Sequence, residues 1–238
     1  PFIKISKAEY LANSVGEINN LIPQIRKLKD TKFSIAENKF PSFTFINEFN
    51  LSSVRNKNFK NNNGKYILYL GRIVPKKRLI ETIDFLSNNK WFDSGFLVIA
   101  HTNDDNEYLK KVKTKIKQKN LFDRIKFAGK VEGPDKWKLI LNANGFILLS
   151  KSEGLPMTLL EADTLNVPII YSKGCNYSPT SEKSFFVKDF NEKYTKEIDL
   201  LSNEKMSAYD RASSIDYNKL HMVEGFYSSY KEIFDEKN

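Results

Sequence analysis

The 238-residue chain is 40% hydrophobic and 13% aromatic, enough for one large domain or one and a half ordinary ones, which excludes a disordered chain. Its single cysteine, Cys175, excludes a disulfide framework and a cysteine-based zinc cluster, and no apolar run approaches the ~20 residues of a membrane span. A net charge of +9, from 38 basic and 29 acidic residues, favours an anionic partner such as a diphosphate or an anionic membrane face, while the lack of any DNA- or RNA-binding motif argues against nucleic acid.

The chain opens at Pro1 with neither a methionine nor a signal peptide, so a fragment, or a chain whose natural start has been removed, is expected. Ile18, Leu21, Ile22, Ile25 and Leu28 trace one helix face, and Arg26, Lys27 and Lys29 at its end suit the helix dipole. Pro23 shortens or bends this helix. Its expected role is packing against a neighbouring domain, with a membrane-surface helix as the alternative. Residues 56–64 are polar and Asn-rich and read as a surface loop.

From Lys65 onward strands and helices alternate. Short apolar or β-branched runs at 66–70, 96–100, 124–128, 146–150 and 167–172 predict strands buried on both faces. Between them, patterns at 78–88, 106–119, 134–143 and 157–165 predict helices. A sixth strand is expected at 185–187 and a helix near 192–202. Lys110, Lys111, Lys113, Lys115, Lys117 and Lys119 crowd the second helix, whose stripe of Leu109, Val112 and Ile116 predicts a solvated helix docked along one edge; contact with anionic lipid is the sharper alternative. Residues 216–234 carry Leu220, Val223, Phe226, Tyr227, Tyr230 and Phe234 at helical spacing and predict a terminal docking helix. The alternation implies an α/β fold, a parallel sheet wrapped by helices. Ligands of such sheets sit beyond the carboxyl ends of the strands, where Gly71, Ala100, Gly129 and Ser150 stand.

Two segments at that edge suit a phosphate. Gly71-Arg72-Ile73-Val74-Pro75-Lys76-Lys77 follows the first strand. The glycine lets a ligand approach the backbone, and a guanidinium and an ammonium on one loop can neutralise a diphosphate. The strand at 146–150 runs into Ser152-Glu153-Gly154-Leu155-Pro156-Met157-Thr158-Leu159-Leu160-Glu161-Ala162. Backbone N–H groups of Gly154, Leu155, Pro156's neighbour Met157 and Thr158 gather at a helix N-terminus, which favours a phosphate. Glu153 and Glu161 can accept hydrogen bonds from hydroxyls on either side of it.

This second segment resembles the E-x7-E motif of retaining GT-B glycosyltransferases of the family-4, or group 1, type. Gly71-Arg72 with Lys77 is similar to that family's G-R-x4-K segment, and Phe127-Ala128-Gly129-Lys130-Val131 to its F-x-G-x-V segment. The resemblance runs from about Ile46 to the C-terminus. It implies a Rossmann-like domain with helices on both faces, the C-terminal, donor-binding half of a GT-B fold. It places Arg72 and Lys77 on the nucleotide diphosphate, where they stabilise the leaving group. It places Glu153 on hydroxyls of the transferred sugar, Glu161 on the ribose, Gly154 to Thr158 on the phosphates, and the backbone after Gly129 on the base. No metal and no other cofactor is expected. The donor would be a nucleotide diphosphate sugar, and the acceptor a hydroxyl of a bacterial surface glycan or lipid-linked glycan. The setting would be the cytoplasm, with the basic surface suited to the inner face of the membrane. Residues 1–45 would then be a remnant of the N-terminal domain and the linker, 46–215 the nucleotide-sugar domain, and 216–238 the docking helix. Such a chain is expected to bind donor but to transfer sugar poorly without an N-terminal domain.

Four positions depart from the family pattern. Arg78 replaces the glycine after the loop lysine, and Ala100-His101-Thr102-Asn103 replaces a glycine-rich turn. Asn166 replaces the glycine before Val167-Pro168, and Ser178-Pro179 follow Gly174-Cys175-Asn176 where an acid is frequent. Two rival readings remain. One is a non-catalytic nucleotide-sugar-binding module or one subunit of a split transferase. The other is a related GT-B enzyme that isomerises or hydrolyses a nucleotide sugar.

Overall fold

The computed structural model describes residues 65–203, apart from 102, 103 and 155, together with Arg211 and the backbone of two short strands, β1 (Glu9–Ala12) and β2 (Lys32–Ile35). These two strands pair in parallel, with Glu9 opposite Lys32. Parallel neighbours require a crossover connection of about a dozen residues or more, which residues 13–31 provide in length. The sequence pattern gave no sign of this pair. The helices expected from Ile18 to Leu28 and from 216 to 234 lie outside the described residues.

Six further strands form one parallel sheet: β3 (Tyr66–Leu70), β4 (Phe96–Ala100), β5 (Ile125–Gly129), β6 (Gly145–Leu148), β7 (Ile169–Ser172) and β8 (Phe185–Val187). Their order is β5-β4-β3-β6-β7-β8. Every residue of β3 and of β6 is buried, whichever face it points to, so both faces of the sheet are covered. That is why these strands read as unbroken apolar runs. Between the strands lie α1 (Leu79–Asn88), α2 (Asn106–Gln118), α3 (Gly133–Leu141) and α4 (Met157–Thr164), and α5 (Thr195–Ser202) follows β8.

The element ends have local causes. α1 starts at Leu79 because Arg78 adopts a left-handed conformation, φ 54°, which costs a non-glycine residue roughly 1 kcal/mol. β7 begins at Ile169, two residues later than the pattern suggests. Val167 N donates to Ala162 O at 2.9 Å to close the end of α4, and Pro168 has no N–H to give to a ladder. Asn166 takes the left-handed position just before, φ 53°, as a glycine substitute should. α2 docks through Tyr108, Val112 and Ile116. Lys115 and Lys119 fold over to Asp84 on α1, at 3.0 and 3.1 Å, while Lys110, Lys111, Lys113 and Lys117 face solvent. Among the described residues no helix is long and apolar enough to cross a membrane.

The strand order sets the position of the site. From β3 the chain winds outward through β4 and β5, then returns to place β6 on the other side of β3. The loops leaving β3 and β6 therefore diverge over a crevice at the carboxyl edge, the place where such sheets bind ligands.

Candidate functional site

The loop leaving β3 is held from below and from the side. Tyr69 is fully buried, and its hydroxyl donates to Arg72 O at 2.7 Å. Burial, reinforced by Tyr108, Glu153 and Asp104, pushes this phenol far above its ordinary range, so it stays a neutral donor. Gly71 N donates to Ala100 O at 3.1 Å. Ile73 N donates to Asp104 Oδ1 at 2.9 Å, and Asp105 N donates back to Ile73 O at 3.0 Å. A 3-10 turn, Pro75–Lys77, then reverses the chain. The result leaves Arg72 exposed at the rim and turns Lys77 inward.

Lys77 meets the loop that leaves β6. Its Nζ lies 2.9 Å from Glu153 Oε1, and both side chains are nearly buried, 12% and 10% exposed. The contact is Coulombic rather than a directed hydrogen bond, since Glu153 Oε1 has no hydrogen-bond partner among the described residues. Lys151 N donates to Lys76 O at 2.8 Å, so backbone joins the two loops beside the ion pair. From the other side, Glu153 N donates to Gly174 O at 2.8 Å, and Asn176 Nδ2 donates to Glu153 O at 2.9 Å. Glu153, on the loop after β6, is thus braced by the loops following two other strands, β3 and β7.

Four residues on, α4 begins at Met157 with Pro156 as its cap. No side chain caps this end and no acid occupies its first turn. The N–H groups of Met157 and Thr158 therefore sit where helix geometry provides no intrahelical partner, beside Gly154 on the same loop; Leu155 is outside the described residues.

Glu161 stands one turn inside α4 and is 4% exposed. Its Oε1 lies 2.6 Å from Lys136 Nζ of α3, and the same ammonium rests 4.8 Å from the centre of the Trp137 ring. Glu161 Oε2 is buried with no partner among the described residues. Burial raises the carboxyl's affinity for a proton, and Lys136 offsets this only in part. A carboxyl with a raised folded-state pKa contributes stability at acid pH that is lost as pH rises from the ordinary glutamate range through the raised value. We therefore expect Glu161→Gln to unfold at the same or a higher denaturant concentration than the parent at pH 7. The advantage should shrink as pH falls below the ordinary glutamate range. Denaturation series across pH would measure this, and a variant less stable at pH 7 would show that the ion pair outweighs the burial penalty.

The remaining expected residues lie two strands away. Gly129 ends β5 at φ 68°, and its carbonyl accepts from His101 N at 2.9 Å. Lys130 is exposed and pairs with Glu132 at 2.7 Å, while Val131 packs against the core. Phe127 remains 38% exposed and meets the His101 ring edge-on, with centroids 5.9 Å apart. His101 Nδ1 also hydrogen-bonds Asp104 Oδ2. The turn that departs from a glycine-rich pattern is therefore built as a His–Asp pair that also grips the basic loop through Ile73. Among the described residues, no group of three or more His, Cys, Asp or Glu side chains could hold a metal ion.

The family model for glycosyl transferases group 1 matches residues 52–219. The chain belongs to this family. Among solved structures, HepE of Anabaena, determined with UDP and glucose, aligns with a TM-score of 0.67 at 17% identity, over 94% of this chain and 62% of its own. Sucrose-phosphate synthase of Thermosynechococcus elongatus aligns at 0.67 with 18% identity, over 96% and 59%. The C-terminal domain of the group 1 protein LpcC of Francisella tularensis aligns at 0.52 with 21% identity, over 71% of this chain and 89% of that domain. At these identities the likeness is one of fold, the GT-B fold of glycosyltransferases. The chain spans less than two thirds of HepE and of the synthase. No curated protein matches the sequence.

Within this group 1 fold, the expected residues separate into two sets. Gly71, Arg72 and Lys77 lie on the loop leaving β3, and Glu153, Gly154, Pro156, Met157, Thr158 and Glu161 on the loop and helix leaving β6, joined by the Lys77–Glu153 pair, whereas Gly129, Lys130 and Val131 stand at the end of β5. Sequence reasoning missed Lys136 as the partner of Glu161, Asp104 as the anchor of the basic loop, and Gly174 with Asn176 as the brace of Glu153. Asn176, left-handed at φ 48° just after a strand end, is the one signal that pointed to a built turn there.

Proposed function

We propose that the chain is the donor-binding half of a glycosyltransferase that moves a sugar from a nucleotide diphosphate sugar to a hydroxyl acceptor with retention. One observation carries this reading: at the switch point of the sheet, an inward lysine is paired with a nearly buried glutamate that precedes by four residues the uncapped N-terminus of a helix carrying a second buried glutamate one turn in. Lys77 and Arg72 would meet the diphosphate, together with the N–H groups at the start of α4. Glu161 Oε2, buried and without a partner among the described residues, would accept a ribose hydroxyl, and Glu153 Oε1 a hydroxyl of the transferred sugar. The end of β5 stands two strand spacings from β3, roughly 10 Å, a span that suits a base on the backbone after Gly129 and phosphates at the crevice.

In the reaction, the bond from the sugar's anomeric carbon to the diphosphate oxygen breaks and the diphosphate keeps the electron pair. The acceptor oxygen bonds to that carbon and releases its proton. Charge grows on the diphosphate, where Lys77, Arg72 and the helix dipole are already fixed and need little reorganisation. This assigns neutralisation to side chains and backbone rather than to a metal ion. The acceptor would be a surface or lipid-linked glycan, and the exposed lysines of α2 would suit the cytoplasmic face of an anionic membrane.

A thermal-shift panel of UDP, GDP, ADP and CMP with their common sugars tests the donor reading. A ligand that binds only the folded chain raises the melting temperature. One base is expected to stabilise the chain, with a smaller shift in Glu161→Ala. Absence of a shift with every nucleotide would overturn it.

A further inference from the structure

The residue after Lys77 is not used by the donor reading. Arg78 is held at φ 54°, ψ 42°, a conformation that glycine adopts without strain and a long side chain does not. Strained positions of this kind persist where something else requires the side chain. The guanidinium carbon lies 5.1 Å from the centre of the Phe190 ring, and Arg78 Nε is buried with no hydrogen-bond partner among the described residues. A guanidinium carries five donors and no acceptor, Arg78 forms no ion pair among the described residues, and the residue lines an open cleft, so its terminal donors suit an anion there.

The surroundings supply the rest. Arg78 lines an open cleft of about 620 Å³ with Lys188, Asp189, Phe190, Asn191 and Glu192. This loop leaves the carboxyl end of β8 and reaches α1, where Tyr194 N donates to Asn89 Oδ1. Its two acids are turned onto the loop itself: Asp189 Oδ1 accepts from Asn191 N at 2.9 Å, and Glu192 Oε2 accepts from Tyr194 Oη at 3.1 Å. Neither is ion-paired with Arg78 or Lys188, and each keeps a second oxygen. The cleft therefore combines two cations and carboxylate acceptors beside an aromatic ring. A bare anion would use only the cations, and a neutral sugar only the acceptors.

We infer that this cleft is a second binding site, for a sugar residue carrying a carboxylate or phosphate, with Arg78 and Lys188 on the anion and Asp189 and Glu192 on the hydroxyls. Its position, one residue from Lys77, makes that sugar part of the acceptor; this last assignment rests on the donor reading. The site itself does not.

The test is calorimetric titration of the whole chain with glucuronate, glucose 6-phosphate and glucose, in the parent and in Arg78→Gly, with UDP thermal shifts measured alongside. Glycine suits the left-handed position, so this variant should fold. The two acidic sugars, or one of them, are expected to bind the parent, glucose much less, and Arg78→Gly about tenfold or more weakly, as for loss of a charge-assisted hydrogen bond. The UDP shift should survive in Arg78→Gly. Binding of only one acidic sugar would identify the anion as carboxylate or phosphate. Equal binding by glucose, undiminished binding by Arg78→Gly, or loss of the UDP shift in that variant would overturn the proposal. Failure of UDP to shift the parent would instead sink the donor reading and leave the acidic-sugar titrations to be judged alone.

Discussion

Replacing Lys77 with alanine is expected to weaken binding of a nucleoside diphosphate about 10- to 100-fold, the range for loss of a hydrogen bond to a charged group. The effect should be far smaller for the nucleoside alone, which offers no diphosphate. The contrast follows from the position of Lys77: its Nζ is nearly buried, 2.9 Å from Glu153, on a turn that backbone hydrogen bonds tie to the neighbouring loop. A preorganised ammonium of this kind acts on charge rather than on shape. Titration calorimetry of Lys77→Ala with UDP and uridine would measure both numbers. Equal losses for the two ligands would mean that the substitution disturbs the site generally and that Lys77 does not meet the diphosphate.

Gly174→Ala should be the most damaging substitution that touches no ligand. A Cβ at this position would stand 2.2 Å from Ser150 O and 2.3 Å from Lys151 O. Those are backbone atoms, so no side chain can swing aside. Overpacking that forces backbone movement costs roughly 3 kcal/mol, measurable by denaturant titration. The displaced strand of contact is also the one that holds Glu153, through Glu153 N to Gly174 O. Donor binding should therefore weaken along with stability. A variant as stable as the parent would show that the two loops can separate without loss, and that the brace on Glu153 is dispensable.

The sheet was legible in the sequence for a simple reason. Strands covered on both faces must be apolar throughout, so 66–70, 96–100 and 185–187 were read to the residue and the others within two. The misplacements trace to backbone chemistry: Pro168 delays β7, and Arg78, by turning left-handed, delays α1. The strands β1 and β2 were missed because they are only four residues each; β2 does alternate, as Lys32-Phe33-Ser34-Ile35, but over too short a run to carry a periodic signal. The candidate site was legible where it is local. Glu153, the start of α4 and Glu161 lie within nine residues of one another. What the sequence withheld is long-range pairing. Lys136 and Glu161 are 25 residues apart, Ile73 and Asp104 are 31 apart, and the close approach of Gly174 to Ser150 depends on two loops that meet only after the sheet has formed. The burial of Glu161 was hidden for the same reason, since nothing in its own helix shows that Lys136 and neighbouring elements cover it.

If the chain binds a donor as proposed, the Lys77–Glu153 pair has a consequence for its selectivity. A chain with net charge +9 lives among polyanions, and an unguarded basic crevice would be occupied by whichever was most abundant. Glu153 lies 2.9 Å from Lys77 as a counterion, so the lysine is a paired rather than a bare cation. An arriving anion must compete with a carboxylate already in place. Under the proposed donor reading, a ligand that offers both a diphosphate for the lysine and hydroxyls for the glutamate would satisfy each half as it separates them. The pair would then favour two complementary groups presented together over anions that carry only one.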